Sequence, residues 1–497
     1  MEFSSRWDYL TWDPATRAWD GMRLALDISH GNLLKLLADT NSLVLWPPLH
    51  SYLQVPFFLL MGMNFHSASS CSLIFLALFF PCITFLYQQL ERGWAGWLTL
   101  MAFSATSPFL LGFGSTPMLE IFGATLTAFS AGLYLKQSRW FPLSLTFLFF
   151  LKFNYCVYLL LPVAVSHGSI PHFWSFAKRL TPFRVFVIAY LMFLALILVN
   201  GGLAIGPLII RGIGNPAYVL FLIVVARAFL KRQHHTIRHR IRGTGWEWFV
   251  VPVFFWMLIP VPNRVKSIVT FAVNTSLNSP SPFELAYYIY YFRKFHLYFA
   301  DHGMAWLCLA VAVSVVYFFR KRRDIVFLGL LFFLPLTLMT INQNKQERLL
   351  YTFLFTLWVL CSFGIARIAN SVLRYAAVIT FCLTLLLSYD SGTVREFVKW
   401  PFSPFRFHSP INFIAKRVAE AGEIRVLGVT NEMSPASIAY HVARRSGFRP
   451  DQHLDTELEK DPPSEVQIIC INTETQGVLR RSRRFAGGIE VSHYSLP

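Results

Sequence analysis

The chain has 497 residues, of which 55% are hydrophobic and only 14% charged, and Phe alone occurs 49 times. A soluble globular protein carries about 25% charged residues, so this composition excludes that class and points to a polytopic helical membrane protein. The net charge of +18 does not indicate nucleic acid, because Lys and Arg concentrate between apolar runs, as in "KRQHHTIRHRIRG" (231–243) and "RKRRD" (320–324), the pattern of a positive-inside bias.

The first stretch, "TWDPATRAWDGM" (11–22), is polar and acid-bearing, and no apolar run precedes it. Two routes would carry it across a membrane: an apolar helix encoded upstream, or insertion of the first span with its N-terminus outside. Asp13 before Pro14 fits an N-cap and N1 pair, and Asp20 fits a solvated helix position. Segment 48–61, "PLHSYLQVPFFLLM", is too short for an ordinary span. It is expected in the interface, with Pro47-Pro48 imposing an extended approach.

Spans are predicted at 68–87, 94–112, 119–135, 185–205, 217–231, 246–262, 303–319, 324–341, 349–366 and 375–389. Residues 140–166 read as one long span or as two short ones hinged at Lys152-Phe153-Asn154. Two short spans put 17 Lys and Arg in the loops of one side and 8 in those of the other, whereas one span would split the basic loops between both faces. With two, residues 1–67, 113–118, 263–302, 342–348 and everything from 390 lie outside. The aromatic run "FELAYYIYYFRKFHLYF" (283–299) could stack on sugar faces or form an interfacial belt, and the belt is favoured. Beyond 390 the composition changes. "EIRVLGVT" (423–430) and "VQIICIN" (466–472) read as strands, with a helix over 435–447 closed by Gly447. The seven Cys show no CxxC spacing and imply neither a disulfide framework nor a zinc site.

Ionisable residues at loop–span junctions on one side are the candidates for chemistry. They are Asp13 in the first outer segment, Glu120 in "TPMLEIF", Lys152 between the two half-spans, and Lys345 and Arg348 in "NQNKQERLLY". Each has a simpler role open to it. Glu120 can complement a helix dipole, and Lys152 and Arg348 can snorkel to headgroups.

Taken in order, the outer acid, "WPPLHSYL" followed by Gly62, "TPMLEIF", "FLKFNYCVYLLLP" and "NQNKQERLLYTFLF" resemble the GT-C membrane glycosyltransferases. The resemblance is to the bacterial relatives of protein O-mannosyltransferases and aminoarabinose transferases, over about residues 10–370. It implies an inverting transferase that moves a sugar from a polyprenyl-phosphate carrier to a glycan, lipid or protein acceptor on the outer face of a bacterial inner membrane. By that resemblance Asp13 is the catalytic base and Glu120 the second acid, while Lys152, Lys345 and Arg348 contact the donor phosphate. The chemistry suits such groups: a carboxylate takes the acceptor proton, and cations stabilise the departing phosphate. The chain departs from its relatives at Asp13-Pro14, where many have Asp-Glu. Aminoarabinose transferases carry Glu-Lys where Leu45-Trp46 stand here, so a divalent metal stays open, with His50 and His302 as alternative ligands. A lipid-linked saccharide flippase and a non-catalytic relative are the competing readings.

The fold class expected is thus an all-α, GT-C-like polytopic membrane protein of about 12 spans, two of them short, with a small C-terminal α/β domain outside the membrane. Its divisions are 1–67, an outer catalytic loop with juxtamembrane helices; 68–389, the transmembrane domain; and 390–497. The partners expected are the lipid-linked donor, the acceptor and the lipid bilayer, with no nucleic acid.

Overall fold

The computed structural model describes residues 12–43, 46–167, 182–199, 203–205, 208–210, 220, 245–258, 284–295, 299, 302–342 and 348–389, and strands between 424 and 495. Helices dominate the first 389 residues. They are α1 (Trp12–Ser29), α2 (Leu33–Ser42), α3 (Leu49–Met61), α4 (Phe65–Gln88), α5 (Trp94–Thr106), α6 (Pro108–Gly114), α7 (Leu119–Leu135), α8 (Phe141–Leu151) and α9 (Phe153–His167). After α10 (Pro182–Val199) comes an antiparallel pair, β1 (Leu203–Ile205) and β2 (Leu208–Ile210). There follow α11 (Glu247–Leu258), α12 (Leu285–Tyr288), α13 (Tyr290–Lys294), α14 (His302–Phe318), α15 (Arg323–Ile341), α16 (Arg348–Ala366) and α17 (Ser371–Tyr389).

Among the described residues, α4, α15 and α16 are long and apolar enough to cross a membrane. At 1.5 Å per residue, α4 with its 24 residues spans roughly 36 Å and the 19-residue helices roughly 28 Å, against a hydrocarbon core of about 30 Å. α4 begins where the Asn64 side chain accepts from the Ser67 N–H at 3.0 Å, an N-cap that satisfies one of the orphan donors. α16 is the central post. Almost every side chain from Leu350 to Phe363 is buried, and it packs against α5, α7, α14 and α15. Trp358 lies at its middle, stacked on Phe103 of α5 and edge-on to Phe79 of α4. A helix apolar all round is a core helix in such a bundle.

The span at 119–135 coincides with α7, and most others agree within a few residues. Four readings change. The stretch expected as a span over 94–112 divides at Ser107 into α5 and α6, with Pro108 opening α6. Of the span expected over 185–205, the described helix ends at Val199, and Leu203–Ile205 instead pair antiparallel with Leu208–Ile210. Pro48 adopts φ −77° and ψ −3°, so the approach to α3 closes in the helical region rather than staying extended. In the aromatic run, Tyr287, Tyr291, Phe295 and Phe299 are buried at a four-residue spacing, and α12 and α13 pack on α15. The Tyr287 hydroxyl donates to the Ile341 carbonyl at 2.6 Å. That side is core, while Tyr288 and Phe292 of the same run are exposed. The span expected at 217–231 lies outside the described residues apart from Leu220.

Residues 140–166 do break at Lys152. Its backbone is extended (φ −165°, ψ 116°), ending α8 one residue before α9 begins. Toward the C-terminus, β3 (Ile424–Leu427), β4 (Leu454–Asp455), β5 (Gln467–Ile471), β6 (Val478–Phe485) and β7 (Ile489–Ser495) form one mixed sheet in the order β4-β3-β5-β7-β6. β3 is parallel to β4 and β5, and β7 runs antiparallel to β5 and β6. The helix expected at 435–447 lies outside the described residues.

Candidate functional site

Two helix N-termini meet at the centre of the site. Glu120 stands in the first turn of α7, where a negative charge complements the helix dipole. Arg348 is the first residue of α16, where a positive charge opposes the dipole and needs an acid beside it. The two side chains pair, Nε to Oε1, at 3.7 Å. Glu120 is 2% exposed and its other oxygen, Oε2, has no hydrogen-bond partner. A buried carboxylate with an oxygen to spare can accept from a ligand or a water.

Tyr155 of α9 lies within electrostatic reach of this pair, and Tyr351 of α16 within reach of Glu120. Gly123, one turn below Glu120, makes the approach feasible: a Cβ there would collide with the Tyr155 ring. The break after α8 sets Lys152 over the same ring, its Nζ 5.2 Å from the centroid. Thus Glu120, Lys152, Arg348 and Tyr155 form one neighbourhood drawn from α7, the α8–α9 break, α9 and α16.

The polar N-terminal segment supplies a second group. α1 packs on α3, and Gly21 lets them close, since a Cβ there would run into Gln54 and Phe58. The buried Arg17 guanidinium lies 4.0 Å above the Trp46 ring and 3.5 Å from Asp20. It is also in electrostatic reach of both His50 and Tyr155, which ties this segment to the first group. Asp20 is not a solvated helix residue. It lies between Arg17 and Arg23, the latter at 3.7 Å, and Arg23 reaches on to Asp39 at 3.9 Å. Burial raises the Asp20 pKa, and Asp39 adds to this, while Arg17 and Arg23 pull the other way.

His50 is buried edge-on against Phe122, with ring centroids 4.6 Å apart, and neither ring nitrogen has a partner. Burial first, and Arg17 second, lower its pKa to about 3, so the imidazole is neutral at physiological pH. Gln54, one turn further along α3, is also buried with both polar atoms unpartnered. Ser69 and Ser72 of α4, which packs on α3, are likewise buried with unpartnered hydroxyls.

Of the five residues expected from sequence, Glu120, Lys152 and Arg348 come together. Asp13 is the second residue of α1, four before Arg17 and seven before Asp20, so it belongs inside the helix rather than at its cap. Its side chain and the whole of Lys345 lie outside the described residues. Arg348 is committed to Glu120 and is not a cation held only for phosphate. Arg17, Tyr155 and Tyr351 were missed. Part of the signal was present: Arg348 and Tyr351 place a cation and a tyrosine three residues apart on one helix, neighbours on its surface. Among the described residues no three His, Cys, Asp or Glu side chains gather as a metal-ligand set. Glu120 is already neutralised by Arg348 and His50 has Arg17 nearby, so these residues do not fit a divalent metal.

No family model and no curated protein matches this sequence. Among solved structures, ArnT from Cupriavidus metallidurans in the apo state superimposes with a TM-score of 0.54 at 11% identity, over 98% of this chain and 94% of that one. The chain has the fold of ArnT. The same protein bound to undecaprenyl phosphate gives a TM-score of 0.49 at 10% identity.

Proposed function

We propose that the chain is an inverting glycosyltransferase that takes a sugar from a polyprenyl-phosphate carrier and passes it to an acceptor on the outer face of the membrane. The observation that carries the reading is the convergence of Glu120, Arg348, Tyr155 and Lys152 with the Arg17 end of α1, within the ArnT fold. In this reading Asp13 accepts the proton of the acceptor hydroxyl or amine as it attacks C1 of the sugar. The C1–O bond to phosphate breaks on the opposite side, which inverts the anomeric centre. The departing phosphate gains negative charge in a site shielded from bulk water. Cations held by protein are worth more there than in water. Arg17 and Lys152 suit that role, with Lys345 beside them in the sequence-based assignment and Arg348 shared with Glu120. Glu120 orients a donor or acceptor hydroxyl through Oε2.

The test is transfer of radiolabelled sugar from polyprenyl phosphate in membranes carrying the wild-type chain or Asp13→Asn. Loss of a positioned general base costs about 10²–10⁴ in rate. The variant is expected to insert and express normally while transfer falls by that factor. Wild-type turnover in Asp13→Asn membranes would remove Asp13 from the mechanism, and no transfer by the wild-type chain from any polyprenyl-phosphate sugar would remove the reading itself.

A further inference from the structure

One polar corner of the fold takes no part in the chemistry at Glu120. His50 and Gln54 stand one turn apart on α3, 2% and 0% exposed, and none of their four polar side-chain atoms has a hydrogen-bond partner. Gln54 lies against Gly21 of α1, where a Cβ would run into its amide oxygen. His50 lies edge-on to Phe122 of α7, and Phe75 of α4 packs on the same ring at 4.3 Å. The Cys71 thiol donates to the Leu53 carbonyl at 3.3 Å, which brings Ser72, buried with an unpartnered hydroxyl, to the level of Gln54. Buried polar atoms left this way are costly, so the corner is built for a hydrogen-bonding guest.

The chemistry of the corner defines the guest. A neutral imidazole and a primary amide each present both a donor and an acceptor, and so does a hydroxyl. An ammonium group offers donors only. It would leave the N–H groups of His50 and Gln54 unpaired, and the Arg17 charge that acts on His50 would repel it. A carboxylate offers acceptors only and would strand the Gln54 carbonyl. Phe75 and Phe122 supply the apolar wall that accompanies a few placed polar groups in small-molecule sites. We infer that His50 and Gln54 recognise ring hydroxyls of the donor sugar, and that this sugar is an unmodified hexose or pentose, not an amino sugar. The inference rests on the transferase reading, in which Arg17 meets the donor phosphate. The sugar is bonded to that phosphate, so its hydroxyls fall beside Arg17, within whose reach His50 stands.

The experiment measures equilibrium binding to the full chain in nanodiscs, with undecaprenyl phosphate as probe, free or carrying mannose, glucose, galactose, arabinose or aminoarabinose. The last two differ by one hydroxyl exchanged for an ammonium. A neutral-sugar probe is expected to bind on the order of tenfold more tightly than both the free carrier and the aminoarabinose probe. Gln54→Leu is expected to bring that probe down to the level of the free carrier, whose own binding reports that the variant is folded. Gln54→Glu puts a carboxylate in the same place and is expected to shift the preference toward aminoarabinose by on the order of tenfold. Binding that ignores the sugar would leave the corner to ordered water. That result, a wild-type preference for aminoarabinose, or an unchanged preference in Gln54→Glu would overturn the assignment and leave the transferase reading standing. Failure to bind even the free carrier would remove both.

Discussion

The Glu120–Arg348 pair offers the sharpest test of the arrangement, because its two halves lie 228 positions apart in sequence and meet in one contact. At 3.7 Å two unit charges attract by about 4–5 kcal/mol for an effective dielectric near 20, before desolvation is counted. Both side chains are largely buried, so removing one partner leaves the other charge uncompensated, at a cost of about 3–5 kcal/mol. Glu120→Gln keeps shape and removes charge; Arg348→Met keeps most of the stem. Each is expected to lower the unfolding free energy in mixed micelles by about 3 kcal/mol. The double variant is expected to lose less than the sum, with a coupling of about 2 kcal/mol or more. Sugar transfer measured on the same proteins separates the pair's structural role from a phosphate role. If Arg348 also contacts phosphate, Arg348→Lys retains stability and still loses donor affinity, whereas Arg211→Ala, directly after β2 in sequence, changes neither. Single-variant costs that add within about 0.5 kcal/mol would refute the pairing.

Other expectations follow from named contacts. His50 is held near pKa 3 against an ordinary 6.5, so the unfolded chain binds the proton more readily. Its contribution is fully present above pH 6.5 and is lost as pH falls toward 3, by roughly 1.4 kcal/mol per unit. His50→Asn is expected to flatten the thermal-stability profile between pH 6.5 and 4, and an unchanged acid limb would show that His50 is solvated. Gly123→Ala puts a methyl into the Tyr155 ring and is expected to cost about 1–3 kcal/mol, with transfer reduced further as Tyr155 leaves Glu120. Gly31→Ala would not serve as its control, because Gly31 has φ +66°; Gly93, with nothing closer than 3.8 Å, does. A reporter fused after Pro497 is expected to be active outside the cytoplasm only, and activity inside would reverse the proposed orientation.

The helices were legible where apolar length and a start signal coincide. Glu120 after "TP" marks α7, and "RKRRD" ahead of Ile325 marks α15, because charges stop where the hydrocarbon-compatible run begins. The division at Ser107 was less visible, since Pro108 and Phe109 are compatible with either a kink or a fresh start. β6 escaped entirely: "VLRRSRRF" has four Arg in eight residues and no alternating apolar face, yet it pairs with β7 along its length. Strand identity there comes from the ladder partner, which local composition does not encode.

The site was legible as a set of charges and not as a set of contacts. Periodicity and hydropathy say which residues begin a helix; they do not say which two helix starts are adjacent. Arg348 read as a cation free for phosphate because its compensating acid lies on another helix, and Asp20 read as solvated because Arg23 and Asp39 close over it only when α2 folds back. The same reason explains α2 itself. By hydropathy "LLKLLADTNS" is an ordinary amphipathic helix whose leucines should point inward. The Asp39–Arg23 ion pair, the Arg23–Ser42 hydrogen bond and the Thr40–Tyr52 hydrogen bond hold it the other way. The polar opening of this chain is therefore consistent with its oily remainder: its charges pair with one another, Arg17 with Asp20 and Arg23 with Asp20 and Asp39, and Arg17 also reaches Tyr155 beside Glu120.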